Sequence, residues 1–273
     1  FLFNCSKWMR YLVKPIPGHT IVNLDYKAQE IGIAAALSQD PQMMVDYATG
    51  DPYLAMGKLA RRIPPDGTKE THGEIRGQFK ALSLGINYMM GLETLARRIK
   101  GSLTEAGSLM AFHKQKYRTF WRWIESEVSG SLLTKKIMTA YGWPLYLEDK
   151  WVIGSGGTEH LEETNIRSVQ NFLMQSTAVH ILQIACMRLI EEGYEVTAPV
   201  HDSVCIQIPT EGFQSAIDGA VEILEEASRI VLNGFTINVE YKLAHHPDRL
   251  GDDDPGAESM WKQVLELCPE ITP

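Results

Sequence analysis

The sequence predicts an α+β fold, on three observations. Apolar positions recur at helical spacing over several long stretches, the strand-like runs are short and widely separated, and the two kinds of segment do not alternate as β-α-β units. With 273 residues, 44% of them hydrophobic, the chain can bury a substantial core as one large domain or two smaller ones. No run approaches 18 apolar residues, so no membrane span is expected. The chain opens Phe-Leu-Phe-Asn-Cys, without an initiator Met or a charged segment before an apolar run, and reads as a piece of something longer that carries no signal peptide.

Taken in order, residues 1–18 hold Trp8, Tyr11 and two prolines and lead into a short strand, Thr20 to Asp25, apolar at Ile21, Val22 and Leu24. Gln29–Leu37 is alanine-rich and long enough for a helix, which Asp40-Pro41 stops because proline disfavours helical geometry before it. Short helices are expected over Met43–Tyr47 and Tyr53–Arg61, with a turn at Ile63-Pro-Pro-Asp-Gly67. A further helix starts near Thr71, where Thr71 and Glu74 have capping-box spacing, and runs to about residue 90. Helices then fill Leu92–Lys100 and Leu103–Glu127. Lys136–Leu147 reads as two extended pieces bent at Gly142-Trp-Pro144. Gly154-Ser-Gly-Gly157 is a flexible loop that lacks the lysine and the strand–helix context of a phosphate-binding loop. A long helix, Glu162 to Glu192, ends at Gly193. Glu195–Val200 and Ser203–Ile208 form a hairpin with His201-Asp202 at its tip. An amphipathic helix, Thr210–Leu232, and a strand, Phe235–Lys242, follow.

Four cysteines (Cys5, Cys186, Cys205, Cys268) stand far apart with no CxxC pair, so reduced thiols are expected and zinc ligation by cysteine is not. The net charge of −8 argues against a generic nucleic-acid coat protein, which would be basic. The charge is uneven, however. Between Gly91 and Arg122 seven cations (Arg97, Arg98, Lys100, Lys114, Lys116, Arg118, Arg122) face only Glu93 and Glu105. That segment suits either a local phosphate-binding face or a solvated helical surface. The histidines at 19, 72, 113, 160, 245 and 246 show no HExxH or similar spacing, which leaves a metal-dependent hydrolase poorly supported.

Two patterns carry chemistry. Arg76, Lys80, Leu84 and Tyr88 recur every fourth residue and so drift only about 40° per step, forming one slanting helical stripe. The order guanidinium, ammonium, apolar spacer and phenol suits a ligand with phosphates at one end and a flat ring at the other. A surface helix with solvated cations has the same pattern. Secondly, Asp25 ends a strand and Asp202 tips a hairpin. If those strands pair, the two carboxylates meet at one sheet edge, where they suit Mg²⁺, which takes oxygen ligands from one or two carboxylates, phosphates and water. A lone aspartate at a strand end also serves as a turn or cap residue.

Asp25-Tyr-Lys-Ala-Gln-Glu-Ile31, Arg76-Gly-Gln-Phe-Lys80 through Tyr88, and Val200-His-Asp-Ser203 together resemble motifs A, B and C of the family A, polymerase I type, DNA polymerases. Order and separations agree, and the similarity runs from about Trp8 to Lys242. The resemblance implies a right-hand fold: a palm with an antiparallel sheet over residues 1–39 (motif A) and 134–273 (motif C hairpin about 195–208), and helical fingers over 40–133 (motif B helix about 71–90). The thumb, and any exonuclease region, would lie upstream of this chain. It implies two Mg²⁺ ions, for which Mn²⁺ can substitute, held by Asp25, Asp202 and the Tyr26 carbonyl, with Asp25, Asp202 and Lys80 as catalytic residues. Arg76 and Lys80 would meet a dNTP triphosphate, Tyr53 would stand near the phosphates, Tyr88 would lie beside the nascent base pair, and Leu84 would occupy the nucleotide-binding position that influences dideoxynucleotide discrimination. Glu30 would be the steric gate against a ribose 2′-hydroxyl.

In the long helix Arg167, Asn171 and Gln175 share a face that matches the family's template–primer contacts, and His201 matches a residue beside the primer terminus. Implied partners are primer–template DNA and dNTPs, with no membrane, in the cytoplasm of a bacterial or phage-infected bacterial cell. The chain departs from the family pattern at Leu84 (an aromatic residue elsewhere), Tyr53 (histidine), Ser203 (glutamate), Trp143-Pro-Leu145 (Arg-x-Arg) and His180 (aspartate); a phage-type member fits these best. The implied function is a DNA-templated DNA polymerase fragment, weakly active or inactive in isolation. The competing readings are a nucleic-acid-binding remnant and a single-subunit RNA polymerase relative, the latter disfavoured by Glu30.

Overall fold

The computed structural model describes residues 6–148, 150–153, 159–162, 166–251 and 254–268; side chains of 150–167 lie outside the description, as do the glycine loop at 154–157 and Cys5. The chain divides into two compact units. One, the sheet unit, comprises residues 1–27, 181–230 and 236–273; the other, the helical unit, comprises 28–180 and 231–235.

The sheet unit is built on β1 (His19–Tyr26), which pairs antiparallel with β7 (Ser203–Pro209) on one side and β8 (Val239–His245) on the other; β6 (Glu195–Val200) completes the order β6-β7-β1-β8. As a central strand β1 is apolar on both faces. Val22, Leu24 and Tyr26 are buried on one, and Ile21 packs with Cys205 and Leu250 on the other. The strand that carries Pro199 is an edge strand, where a missing ladder donor is tolerated. Helix α9 (Phe213–Val231) buries Ile217, Ala220, Leu224, Ala227 and Val231, a 3-4-3-4 spacing that lines one helical face. Tyr26 Oη donates to the Leu224 carbonyl at 2.8 Å, fixing the end of β1 to α9. The last described helix, α10 (Pro255–Leu267), has Asp254 as its N-cap, accepting from Gly256 and Ala257 N–H; the acidic run at 252–254 thus contains a helix start.

The helical unit holds α1 (Gln29–Ser38), α2 (Pro41–Ala48), α3 (Pro52–Leu59), α4 (Lys69–Asn87), α5 (Leu92–Arg98), α6 (Leu103–Lys116) and α7 (Arg118–Thr134), with the hairpins β2 (Lys136–Met138)–β3 (Pro144–Tyr146) and β4 (Lys150–Ile153)–β5 (Glu159–Glu162). Helix α1 is buried nearly all round, as its alanine content allows. Asp40 does more than end that helix. Its Oδ1 accepts from Gln42 and Met43 N–H, both at 3.0 Å, capping α2 with Pro41 at the first helical position. Its Oδ2 accepts from Thr119 and Phe120 N–H at 2.9 and 3.1 Å, the open amides at the start of α7.

The single helix expected over Leu103–Glu127 is two, broken at Tyr117. That residue leaves helical geometry (φ −106°, ψ 58°), and its buried hydroxyl donates to Asp46 Oδ2 at 2.6 Å. His113, also buried, has its pKa pushed down to about 3 by loss of solvent and stays a neutral imidazole, its Nδ1 accepting from Trp121 Nε1.

Helix α4 starts at Lys69 rather than near Thr71. Its capping box joins Thr68 and Thr71, not Thr71 and Glu74, and a kink at His72 (φ −130°) separates the first turn from the rest. The last strand begins at Val239, not Phe235, whose ring packs against Tyr47 with centroids 5.4 Å apart.

Helix α8 (Ile166–Glu191) buries Val169, Leu173, Thr177, Ile181, Ala185 and Leu189, a stripe at every fourth residue. Among the described residues its stretch Ser168–Glu191 is long and apolar enough to cross a membrane, with mean hydropathy 1.3; the buried stripe supplies part of that apolar content, and Val179, Met187 and Ile190 are exposed. It closes as the sequence indicates: Gly193 adopts φ +84°, its N–H bonds the Ile190 carbonyl and Tyr194 N–H bonds that of Leu189, a Schellman ending.

Since one carboxylate caps two helix starts, Asp40→Ala removes four accepted N–H bonds at once. We expect a loss of about 2–4 kcal/mol, read as a lower urea midpoint, with Asp40→Asn intermediate. A loss below about 0.5 kcal/mol would show that the amides find other acceptors.

Candidate active site

In the sheet unit, the register of β1 against β7 places Asp25 opposite Ser203, the residue after Asp202. The ladder continues one step further, with Tyr26 N–H donating to the Asp202 carbonyl at 3.1 Å. Asp25 and Asp202 therefore stand at the same end of neighbouring strands. The two-residue tip His201-Asp202 is held by Ser203 Oγ donating to the Val200 carbonyl at 3.0 Å, and His201 takes a positive φ of 54° there. Asp25 Oδ1 is buried, whereas the His201 side chain is exposed. Tyr26 presents its backbone rather than its phenol: the ring is 2% exposed, and burial, with the Cys186 and Glu225 charges adding, holds the hydroxyl protonated. Two carboxylates and a nearby carbonyl are hard oxygen donors, and they fit Mg²⁺ or Mn²⁺ rather than a soft metal. Among the described residues no group of three or more His, Cys, Asp or Glu converges on a metal position, so water and substrate oxygens would have to complete any such shell.

In the helical unit, α4 presents its cations over one ring. The Arg76 guanidinium carbon lies 5.2 Å and Lys80 Nζ 5.9 Å from the centroid of Tyr53, which is 4% exposed. Tyr53 is thus a platform under two positive charges. Its phenol stays neutral, because burial raises its pKa and the Glu30 carboxylate adds to the rise while Arg76 opposes it. Arg76 is further fixed by Asp51, whose Oδ2 accepts from Arg76 Nε at 2.6 Å while its Oδ1 caps α3 at Leu54 N–H. Asp51 went unnoticed in the sequence reading. The available signal was the Asp-Pro pair, which marks an N-cap followed by the first helical position. Lys80 is exposed and Leu84 half-buried on the same face.

Tyr88 is the C-cap of α4 rather than part of its interior, yet its N–H still bonds the Leu84 carbonyl, so it stays close to the stripe. Its hydroxyl donates to Glu30 Oε1 at 3.3 Å and accepts from Gln175 Nε2 at 2.9 Å. Three expected site residues from α1, α4 and α8 are thereby joined in one chain. A cavity of about 490 Å³ opens beside Tyr88, lined by residues 88–94. Asn171, half-buried, and Gln175, exposed, lie one turn apart on α8; Arg167 lies in its first turn, with its side chain outside the described residues. Gln170 also escaped notice. Its Nε2 donates to the Ile86 carbonyl at 2.9 Å from a position 3% exposed, and no sequence signal distinguishes it from the adjacent polar face.

Comparison with known proteins bears on these arrangements. Residues 4–246 match the family model of DNA polymerase family A. The chain is 23% identical over 215 residues to DNA polymerase I of Caldicellulosiruptor bescii, covering 77% of this chain and 25% of that protein. It is 22% identical over 213 residues to the thermostable DNA polymerase I of Thermus aquaticus (76% and 25%), and 24% identical over 200 residues to the DNA polymerase of Mycobacterium phage D29 (71% and 30%). Among solved structures it resembles the POL domain of Pol1 from M. smegmatis in complex with DNA primer-template and dNTP, with TM-score 0.71 and 20% identity over 86% of this chain and 41% of that one. The chain belongs to DNA polymerase family A, and its fold is that of a polymerase domain. The chain spans 25–30% of the length of these curated relatives.

The Glu30–Tyr88–Gln175 chain is testable as geometry. Tyr88→Phe removes both bonds and keeps the ring. We expect about 0.5–1.5 kcal/mol of destabilisation in urea, mostly absent when Gln175→Ala and Glu30→Ala are already present.

Proposed function

We propose that this chain is the palm and fingers portion of a DNA-templated DNA polymerase, with palm residues 1–39 and 134–273 and fingers residues 40–133. It would act within a longer polypeptide to add dNMPs to a primer 3′-hydroxyl with release of pyrophosphate. The observation that carries this reading is the strand register that brings Asp25 and Asp202 to the same end of β1 and β7 in a chain of this family.

The roles follow from the chemistry of the side chains. Asp25, Asp202 and the Tyr26 carbonyl would hold divalent cations, and a pair of Mg²⁺ ions supplies stabilisation of developing phosphate charge and a more acidic attacking hydroxyl. Arg76 and Lys80 would bind the triphosphate. Arg76, fixed at Nε by Asp51, offers its two terminal nitrogens in a planar fork, and Lys80 offers an exposed point charge. Lys80 would also stabilise charge on the leaving pyrophosphate, so positioning and electrostatics supply most of the rate, as in other phosphoryl transfers.

Tyr88 would sit beside the nascent base pair, and Leu84, with apolar surface in place of a ring, would bear on discrimination of the nucleotide's sugar. Glu30 would exclude a 2′-hydroxyl, its carboxylate held by the Tyr88 hydroxyl. Arg167, Asn171, Gln175 and His201 would contact template and primer. Homologues from bacteria and a mycobacteriophage support action in the cytoplasm of a bacterial or phage-infected bacterial cell.

Mg²⁺-dependent primer extension by the chain joined to its natural upstream sequence tests the metal site. Asp25→Asn and Asp202→Asn are each expected to lower kcat at least ~10³-fold, with duplex binding retained. Extension at the parent's rate by both variants would remove these residues from the site. In the same assay Glu30→Ala should raise ribonucleotide incorporation relative to dNTP by about 10²-fold or more, since a steric barrier is worth several kcal/mol. Unchanged discrimination would leave Glu30 no role as a gate.

A further inference from the structure

Strand β8 edges the sheet unit, and its register gives Asp25 a second neighbour. Asp25 stands directly opposite Ser203 on β7 and directly opposite Glu240 on β8. Residues directly opposite each other in an antiparallel pair share a face, with Cβ atoms about 4.5–5.5 Å apart. Other rungs of the same ladders obey this rule. Asn23 is paired with Cys205, whose Sγ donates to Asn23 Oδ1 at 3.1 Å. Thr20 is paired with His245, and Thr20 Oγ1 lies 2.6 Å from His245 Nδ1. Asp25 and Glu240 therefore project side by side from one face, Asp25 half-buried and Glu240 exposed. Across β1, Ser203 adds no charge, and its hydroxyl donates to the Val200 carbonyl. With Asp202 beyond Ser203, three carboxylates stand at the same end of three adjacent strands, β7, β1 and β8.

Charged residues on an edge strand ordinarily discourage pairing with another chain, and Lys242, on the same face as Glu240, serves that end equally well. What distinguishes Glu240 is the residue it faces. Lys242 is paired with a neutral Asn23, whereas Glu240 is paired with a like charge. Like charges directly opposite each other weaken a sheet. A divalent cation beside Asp25 reverses that sign, because it attracts both carboxylates. Among the described residues no three acids converge on one cation position, so Glu240 stands outside the set of direct donors. A carboxylate at that remove still draws the cation and its hydration water, and such outer partners weigh on affinity.

We propose that Glu240 is a positioning residue of the palm site: a third negative charge, supplied by β8, that strengthens divalent-cation binding at Asp25 and Asp202 without entering the donor set. The proposal rests on the divalent-cation reading of those two residues and adds a strand to the site.

The test is Mn²⁺ titration of the full chain, with free Mn²⁺ read by electron paramagnetic resonance. The binding equivalent of interest is the one that Asp25→Asn abolishes. For that equivalent Glu240→Gln should raise Kd about tenfold, and Glu240→Asp, which keeps the charge, about threefold or less. Glu258→Gln removes the same charge from an exposed helix position paired with Lys262 and should leave Kd unchanged. In urea without a divalent cation, Glu240→Gln should unfold at or above the parent's midpoint, since a like charge has gone. Added Mn²⁺ should then raise the parent's midpoint more than the variant's. A Kd for Glu240→Gln within about twofold of the parent's, with Asp25→Asn still abolishing the site, overturns the proposal and leaves the cation reading standing. An equal weakening by Glu258→Gln assigns the effect to net charge and overturns it too. So does a lower cation-free midpoint for Glu240→Gln, which would make Glu240 part of what holds β8 in place. Mn²⁺ binding by Asp25→Asn at the parent's Kd defeats the cation reading and this proposal together.

Discussion

The candidate metal site depends on a single constraint, the register of β1 against β7. Side chains along a strand alternate between faces, so a slip of one residue would turn Asp25 to the opposite face and bring Tyr26 opposite Ser203. Two features hold the register. Val22 and Leu24 are fully buried on one face, and Ile21 is buried on the other, so a slipped strand would misplace all three. Tyr26 is fastened at both ends, with its amide on Asp202 and its hydroxyl on Leu224. The carboxylates themselves need contribute nothing to this placement.

The helical unit organises charge rather than strand register. Arg76 and Lys80 lie above a buried ring, and Asp51 orients one of them. Two like charges so close repel each other, and the negative ring face together with the Asp51 carboxylate offsets that repulsion. Histidine at position 53 would add a third titratable cation to this group; tyrosine, held neutral, adds none. Tyrosine in place of histidine therefore changes the electrostatics of this cationic cluster more than its shape.

Much of this was legible in the sequence, for reasons that differ from residue to residue. Asp25 and Asp202 were visible because β-branched runs and a two-residue tip fix strand ends locally. The Arg76-to-Tyr88 stripe followed from helical period alone, as did the glycine ending of α8. What escaped depends on distance along the chain. Asp40 looked like a stop signal because its second set of partners, Thr119 and Phe120, lies about eighty residues away. The break at Tyr117 has the same origin, since its cause is a buried carboxylate on α2. The start of α4 was misplaced for a local reason: two threonines three apart compete as caps, and the sequence alone does not rank Thr68 against Thr71.

Asp40 also carries an evolutionary consequence. A residue that caps one helix can drift, provided a neighbouring serine or asparagine takes over the open amides. Asp40 serves α2 with one oxygen and α7 with the other, so a replacement must satisfy both ends together. Asparagine offers only one acceptor oxygen, serine and threonine only a short hydroxyl, and glutamate a reach one methylene too long. Substitutions near residue 42 and near residue 119 are consequently epistatic, although the two segments are remote in sequence. Position 40 would change in related chains only alongside a rebuilt junction between these two helices.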